Sequence, residues 1–385
     1  MEIYSLNDNF TIKEIIEDFE SFVWAERFND VGDFELVVPY SERSEEFLRL
    51  DTFVGMDASD RVMKIENVLD FEEDDGGRFL KVSGRSLEYL LEYRSIFGFW
   101  IIDEEKPYVV SGLAHEIIDK ALRDTLIEPF QGEHEKLPYY TEGTRYPEDN
   151  NIYFDEVLTY SITKPMKAMD YIKELAKPYR VGFRIYRHPT QARLYVNTYV
   201  GSNRTSEQNV HNPVIFSRYL GNVEKLENLK TNKDRIDRVQ VYSESGFSEV
   251  WWDNAPLGVF HKTVSIDVKE PEEAITREEK NAYRIHRGYE VLMKSRDLEV
   301  SDCEVSKTND YIYKEDYHLG DLVDVFDHLG NTIRMRVVEQ IFTKDENGDR
   351  SYPTLEAESL ITRDSWAGTD PNLVWAMAQG TWSEK

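Results

Sequence analysis

Phe22-Val23-Trp24-Ala25-Glu26-Arg27-Phe28 and Phe34-Glu35-Leu36-Val37-Val38-Pro39 are two short runs near the start of the chain. Phe22, Trp24 and Phe28 in the first run, and Phe34, Leu36 and Val38 in the second, fall on one alternating set of positions. This spacing places the large side chains on one face of a β-strand. The segment between the runs, Asn29-Asp30-Val31-Gly32-Asp33, has the composition of a turn, and Pro39 is typical of a strand end. The chain is therefore predicted to open with an antiparallel hairpin that has one apolar face.

The hairpin is followed by patterns in the order β, α+β, β, helix, β. Ser41 is placed to cap a short helix that ends near Leu50. A strand over 61–69 is predicted to hold Met63, Ile65 and Leu69 on one side. Ser83-Gly84-Arg85-Ser86-Leu87-Glu88 indicates a tight turn into a short amphipathic helix.

The remaining patterns predict an α+β fold that is mainly β. Apolar stripes indicate helices over about 109–123 and from Thr163 to Pro178, and a long charged helix over 273–296. We divide the chain into a first β-barrel region, an α+β insertion domain, a second β-barrel region that contains the long helix, and a tail: 1–94, 95–212, 213–360 and 361–385.

The composition restricts the function. Lys and Arg total 46 and Asp and Glu total 74 in 385 residues, so the formal net charge is −28. Nonspecific nucleic-acid binding needs Lys and Arg to displace counterions from phosphates, and an acidic chain is also repelled by anionic membrane surfaces. The hydrophobic share of 40% is enough for a sizeable core.

The cysteine count and the search for targeting segments bear on where the protein is made. Cys303 is the only cysteine, so an intrachain disulfide is excluded. The first residues lack the basic and apolar regions of a signal peptide, and no apolar run approaches the roughly 20 residues of a membrane span. We expect synthesis in a cytoplasm and no membrane anchor.

The motif search assigns no catalytic, cofactor-binding or metal residue. The Gly-rich phosphate and dinucleotide loops and the Gly-x-Ser-x-Gly elbow are missing from the sequence. His115-Glu116-Ile117-Ile118-Asp119 has Asp where a zinc motif needs a second His, so we interpret it as an exposed helical pair. Ser161-Ile162-Thr163-Lys164 lacks the companion elements of a penicillin-binding nucleophile.

The last 25 residues contain three of the seven tryptophans, Trp366, Trp375 and Trp382. Tryptophan is enriched at the centres of protein interfaces. The segment is too short for its own core, so it either packs onto its own chain or docks onto a neighbouring subunit.

Several of these stretches together resemble the minor tail proteins of siphophages, which form the baseplate hub at the tail tip. They are Trp24-x3-Phe28 with Gly32-Asp33-Phe34-Glu35-Leu36, Asp60-Arg61-Val62-Met63-Lys64-Ile65, Ser83-Gly84-Arg85-Ser86-Leu87-Glu88, and Asp316-Tyr317-x-Leu319-Gly320-Asp321-Leu322-Val323. The chain is also similar to the hub of contractile phages and to the platform half of tail-associated lysins.

The resemblance implies a structural protein of the virion tail tip. Two tail-tube-like β-barrels per subunit would give a homotrimer a pseudo-sixfold ring, which joins the sixfold tail tube and distal tail protein to a threefold tip. Further implied partners are the tape measure protein and receptor-binding proteins. Phage DNA would pass through the ring on ejection without specific binding, and carboxylates lining the channel would repel its phosphates.

The motif residues receive structural roles in this interpretation, and no enzyme activity is expected. Gly32, Gly84 and Gly320 are expected to give backbone freedom at turns, with Asp33 beside the first. Arg85 and Asp321 are expected to hold the turns by hydrogen bonds. Longer relatives carry a lytic or receptor-binding extension, for which a chain ending at Lys385 leaves no room.

Two other functions stay open at this stage. A receptor- or glycan-binding tail adhesin would use exposed Trp and Tyr as stacking platforms, and a sheet of exposed aromatic residues would be its sign. A cell-wall hydrolase would use a pair of carboxylates, but 74 acidic residues allow no pair to be singled out.

Overall fold

The computed structural model is mainly β with α-helices added, so the predicted fold class is confirmed. It describes the following residues: 1–74, 76–96, 108–129, 132–142, 158–162, 166–188, 190–231, 233, 235–251, 261–270, 276–294, 298–306, 311–346 and 348–357. The chain divides into two units, Met1–Leu226 with Cys303–Glu356 and Glu227–Asp302 with Ala357–Lys385.

The described strands are β1 (Ile3–Leu6), β2 (Ile12–Ile16), β3 (Ser21–Arg27), β4 (Asp33–Pro39), β5 (Phe53–Met56), β6 (Met63–Glu72), β7 (Arg78–Ser86), β8 (Tyr108–Gly112), β9 (Tyr140–Glu142), β10 (Leu158–Ile162), β11 (Gly182–Arg187), β12 (Leu194–Tyr199), β13 (Ile215–Ser217), β14 (Val223–Thr231), β15 (Arg238–Ser243), β16 (Gly246–Trp251), β17 (Thr263–Asp267), β18 (Leu298–Val305), β19 (Leu322–Phe326), β20 (Thr332–Asp345) and β21 (Gly348–Ala357). The α-helices are α1 (Glu42–Phe47), α2 (Ala114–Leu122), α3 (Ala168–Tyr179) and α4 (Arg277–Lys294). Short 3-10 helices cover Leu87–Tyr93 and Glu133–Glu135, and a π-helical turn covers Arg123–Ile127.

A large sheet organises the first unit. Its hydrogen-bonded order includes β21-β20-β3-β4-β7-β6-β5-β1-β2, and β19 pairs with β20. The antiparallel pairing of β20 with β3, from Glu339 opposite Arg27 to Lys344 opposite Phe22, joins the two ends of the sequence in one sheet. The described pairings form an open path, so they show no closed barrel in this part of the chain.

The opening hairpin is confirmed, and its apolar face is buried. Phe22, Trp24, Phe34 and Leu36 are all buried, and the ring centroids of Trp24 and Phe34 lie 5.9 Å apart. The short helix α1 begins as predicted, because Ser41 and Ser44 cap each other's backbone N–H groups in a capping box. The alternation of the sequence therefore translates directly into the inner face of the sheet.

The pattern after Ile65 is different from the prediction. Met63 and Ile65 are buried, but Leu69 is exposed. A β-bulge between Ile65 and Asn67 changes the phase of β6, and beyond it Val68 and Leu69 are both exposed to solvent. Gly84 lies opposite this bulge, inside β7, and not in a turn. A Cβ atom at Gly84 would lie 1.8 Å from the Lys64 carbonyl oxygen, so the close approach of the two backbones requires glycine.

The middle of the first unit has an α+β core of its own. Helices α2 and α3 pack with the sheet β11-β12-β9. Helix α2 begins at Ala114, later than the predicted 109, because residues up to Gly112 form β8. His115 was interpreted as exposed, which is wrong, since its side chain is buried.

The second unit contains the sheet β16-β15-β17 and helix α4, which matches the long helix predicted over 273–296. Val239, Val241 and Val250 form a core with Leu292 of the helix. Gly288 allows close contact, because a Cβ atom there would lie 2.5 Å from a Val250 methyl group. Trp366, Trp375 and Trp382 lie outside the described residues, and the four-part domain division stays a prediction.

Among the helices that the structure describes, none has the length and hydropathy needed to cross a membrane.

The bulge generates a prediction for Gly84→Ala. The added methyl group would overlap backbone atoms of Lys64 and Glu66, which must shift to make room, so we expect a loss of about 1–3 kcal/mol in the free energy of unfolding. Ser83→Ala, at the neighbouring position of the same strand, is the control and should lose less than about 1 kcal/mol. Urea unfolding followed by circular dichroism measures both, and equal stabilities would contradict the packing argument.

Candidate functional site

The side chain of Phe28 lies where three separate stretches of the first unit meet. Its ring is buried against Gly182 of β11 and against Gly320, and a Cβ atom at either glycine would lie 2.4 Å from a ring carbon. The Tyr199 ring meets it edge-on, with 5.3 Å between the centroids. Neither glycine can be enlarged without displacing the ring.

The backbone of Phe28 is held on both sides. Its N–H donates to the carbonyl of Val338 at 2.9 Å, and its carbonyl accepts from the N–H of Phe183 at 3.2 Å. Phe28 therefore connects the opening hairpin to the C-terminal strand β20 and to the α+β region through β11. We call Glu26, Phe28, Arg61 and Glu88, together with the groups that contact them, the buried junction.

A buried ion pair lies beside the ring. Arg61 and Glu88 are in direct contact, and both side chains are almost completely inaccessible to solvent. Glu88 also accepts a 2.7 Å hydrogen bond from the N–H of Ile185 in β11. A buried carboxylate needs these partners, because leaving it unpaired in the interior costs several kcal/mol.

Glu26 is the second buried carboxyl group of the junction. It accepts hydrogen bonds from the Ser59 hydroxyl and, at 3.2 Å, from the Tyr313 hydroxyl near the end of the chain. Burial raises the pKa of Glu26, and this outweighs the lowering by Lys314. The carboxyl group of Glu26 thus links three sequence regions, because Ser59 and Tyr313 both donate hydrogen bonds to it. Its charged form is disfavoured by burial.

Asp60 lies nearby but behaves differently. Burial would raise its pKa, yet the positive charges of Lys314, Arg184 and Arg61 lower it overall. Its carboxylate oxygens lie 3.4 Å from Arg184 and 3.8 Å from Lys314. Asp60 is therefore held as a carboxylate by cations from the α+β region and from the C-terminal region.

Gly320 and Asp321 form the edge of the junction. Gly320 has a φ of +90°, which favours glycine, and its N–H donates to Val337 at 2.7 Å. The buried carboxylate of Asp321 accepts from the N–H groups of Ser202 and His318 and from Arg204 Nε, at 2.7, 2.9 and 2.7 Å. These bonds hold residues 202–204 against the turn before β19.

The other motif residues lie around β4 and β7. Gly32 donates its N–H to the Ser86 hydroxyl at 2.8 Å, and Asp33 accepts from Arg27 at 2.7 Å. Arg85 donates to both oxygens of Glu66 at 2.7 and 2.9 Å and to Glu92 at 2.6 Å. The Gly32–Ser86 contact is buried and the ion pairs of Asp33 and Arg85 are partly exposed, and together they hold β4 and β7.

A cleft of about 820 Å³ opens above the junction. Its charged lining is balanced, with five basic and five acidic residues: Arg61, Arg184, Arg187, Arg204, Lys314, Glu2, Glu26, Asp57, Asp60 and Asp321. No group of three or more potential metal ligands occurs among the described residues. Glu26 and Asp60 have pKa values that move apart, as an acid–base pair requires, but both carboxyl groups already bind protein partners.

The junction residues stand inside the motifs, but sequence reasoning assigned them no role. Glu26 occupies the same strand face as Phe22, Trp24 and Phe28 by the period of two. A carboxylate on an apolar face is a signal for a buried, partnered charge. Its partners Ser59 and Tyr313 were not accessible to that reasoning, because they are far away in the sequence.

The sequence matches a known protein family over most of its length. A family model described as "Siphovirus ReqiPepy6 Gp37-like protein" matches residues 1–355. The chain belongs to this family. The expected relationship to siphophage tail proteins is therefore confirmed, and the chain is a phage tail protein.

Solved structures show the same fold at low sequence identity. The 43 kDa tail protein of prophage MuSo2 from Shewanella oneidensis is 14% identical, with a TM-score of 0.54, over 92% of this chain and 97% of that chain. A tail protein from Neisseria meningitidis MC58 is 13% identical, with a TM-score of 0.54, over 93% and 96%. No curated protein sequence matches the chain.

The ion pair gives a prediction with an internal control. Arg61→Met leaves Glu88 charged and buried without its cation, so we expect a loss of about 3–5 kcal/mol in the free energy of unfolding. Arg61→Met combined with Glu88→Gln removes both charges and keeps an acceptor for the Ile185 N–H, so most of the loss should be recovered.

Arg78→Met is the matched control, because the Arg78–Asp70 pair is exposed to solvent. It should cost less than about 1 kcal/mol. Urea unfolding measures all three variants. A double variant as unstable as Arg61→Met alone would contradict the buried-charge explanation.

The raised pKa of Glu26 predicts that the stability of the fold depends on pH. A carboxyl group with a raised pKa in the folded state stabilises the fold fully below its unfolded pKa, and this contribution is lost as the pH rises through the folded pKa. The neutral side chain of Glu26→Gln does not suffer this loss. We expect the Tm of Glu26→Gln minus that of the wild type to increase from about pH 4 to about pH 8.

Differential scanning calorimetry across this range provides the comparison. A difference that stays constant or decreases with pH would contradict the assignment of Glu26 as a disfavoured buried carboxylate.

Proposed function

We propose that the chain is the structural hub protein of a siphophage tail tip. Three copies form a ring that joins the sixfold tail tube and distal tail protein to the threefold tip and lets DNA pass on ejection. The observation that carries this proposal is the family match over residues 1–355. The fold shared with two tail proteins over more than 90% of each chain supports it.

The architecture of the first unit is suited to a mechanical role. The sheet is continuous from β2 to β21, and the buried junction fixes the α+β region to the same body. Packed interiors have low compressibility and transmit strain. A ring built from such bodies holds its diameter under load during attachment and ejection.

The ring symmetry follows from two β-rich regions in each subunit. In our division these are residues 1–94 and 213–360, separated by the α+β insertion 95–212. Two similar β-rich regions per subunit would present six similar edges in a trimer, which matches the sixfold tube. The proposed partners are the distal tail protein, the tail tube, the tape measure protein and receptor-binding proteins.

The mechanism that we propose is not enzymatic. The cleft gathers the charged groups of the junction, but Glu26, Asp60 and Asp321 are engaged in hydrogen bonds and ion pairs that hold the fold. A hydrolytic carboxylate pair needs one group free to protonate a leaving group and the other free to attack or to activate water. This arrangement favours a structural use over a cell-wall hydrolase.

The net charge of −28 belongs to the same proposal. DNA must pass through the ring without adhering, and carboxylates that face the channel repel phosphates. The protein is then made and assembled in the host cytoplasm and ends at the virion tail tip.

Mass photometry of the purified chain tests the assembly. A trimer has three times the mass of 45.2 kDa, about 136 kDa, and it should bind purified distal tail protein from the same phage. Cryo-electron microscopy of that complex should show acidic side chains outnumbering basic ones along the channel. A stable monomer that fails to bind distal tail protein would contradict the hub proposal, and a channel lined mainly by Lys and Arg would contradict the role of the charge.

A further inference from the structure

The small sheet of the second unit has one buried face and one exposed face. Val239 and Val241 of β15 and Val250 of β16 point towards helix α4. The alternate positions point the other way, because successive side chains of a strand face opposite sides. We call this set the outer sheet face: Arg238, Gln240, Tyr242, Phe247, Glu249, Trp251, Thr263, Ser265 and Asp267.

Three aromatic side chains are exposed on the outer sheet face. Tyr242, Phe247 and Trp251 are 45%, 47% and 54% accessible to solvent. Tyr242 lies opposite Phe247 with 5.0 Å between ring centroids, and Trp251 lies opposite Arg238, whose guanidinium is 6.0 Å from its ring. Trp251 follows Phe247 by four positions along β16, so at about 3.3 Å per residue the two aromatic positions are about 13 Å apart.

A row of polar groups lies between the aromatic positions. Glu249 accepts from Arg238 and, at 3.0 Å, from Gln240, whose own oxygen accepts from the Ser265 hydroxyl at 3.2 Å. The hydrogen bond from Arg238 lowers the pKa of Glu249, so it is a carboxylate at neutral pH. The face therefore has aromatic planes at its two ends and a mixed donor and acceptor row in the middle.

The charge of this face restricts its ligand. Arg238 and Glu249 neutralise each other, and Asp267 leaves a net charge of about −1 at neutral pH. Single-stranded nucleic acid also stacks on aromatic rings, but it requires a positively charged groove. Anionic polysaccharides are disfavoured for the same reason.

Neutral sugars match both the aromatic planes with the polar row between them and the low net charge of this face. A pyranose ring has an apolar C–H face, which packs on an aromatic plane, and hydroxyl groups at its edge, which pair with carboxylate, amide and guanidinium groups. The separation of the aromatic positions fits several linked sugars and exceeds the size of a single one.

We propose that the outer sheet face binds a neutral oligosaccharide, with sugar rings stacked on Trp251 and on the Tyr242–Phe247 pair and hydroxyl groups bonded to Arg238, Gln240 and Glu249. This site gives the tail protein a direct contact with a glycan of the host surface. It does not depend on the hub proposal, since a protein can hold the ring and also touch the receptor.

The experiment uses the full chain and a panel of neutral probes: chitohexaose, cellohexaose, maltohexaose and a linear galactan hexasaccharide. Isothermal titration calorimetry should show binding of at least one probe with a Kd of about 1 mM or tighter. Trp251→Ala and the double variant Tyr242→Ala/Phe247→Ala should each weaken binding at least tenfold, whereas Trp251→Phe keeps an aromatic plane and most of the affinity.

Tyr219→Ala is the matched control, because Tyr219 is an exposed aromatic residue of the first unit and lies outside this sheet. Its affinity should equal that of the wild type, and circular dichroism should show that every variant is folded. Three results would overturn the proposal: no binding of any probe at about 1 mM, binding that the aromatic variants leave unchanged, or a loss of self-association by these variants without any glycan binding. The last result would identify the face as a contact between subunits.

Discussion

The ion pair between Arg61 and Glu88 is the interaction on which the first unit depends. Both charges are removed from water, so each must be satisfied by the protein. Glu88 does this through Arg61, which lies just before β6, and through the backbone N–H of Ile185 in β11. The complete set of contacts to Glu88 therefore needs both the opening β-rich region, which supplies Arg61, and the α+β region, which supplies Ile185.

The ring of Phe28 packs between the regions that meet at the junction. Gly182 and Gly320 leave space that only this ring fills, and the C-terminal strand β20 completes the backbone contacts. Residues separated by nearly 300 positions thus share one small interior volume. This construction suits the mechanical role proposed above, because packed interiors have low compressibility and transmit strain.

The sequence predicted the local elements well, because periodicity is a local property. Phe22, Trp24, Phe34 and Leu36 lie on the buried face that their spacing indicated. Leu69 and Gly84 were misplaced, since a β-bulge changes the phase of a strand without any local signal. The junction was beyond prediction, because Glu26 meets Tyr313 only after the two ends of the chain pair in one sheet. The outer sheet face could not be predicted either, because the register between β15, β16 and β17 decides which side chains lie next to one another.

Native-state hydrogen exchange of Phe28→Ala tests the central claim, which is that one buried junction couples three regions of the chain. Truncating this ring should cost about 3–5 kcal/mol. We predict that amides of β3, β11 and β20 lose protection together and by the same free energy, because the three strands share the contacts of this ring. A loss of protection confined to β3 and β4, with β11 and β20 unchanged, would contradict the account.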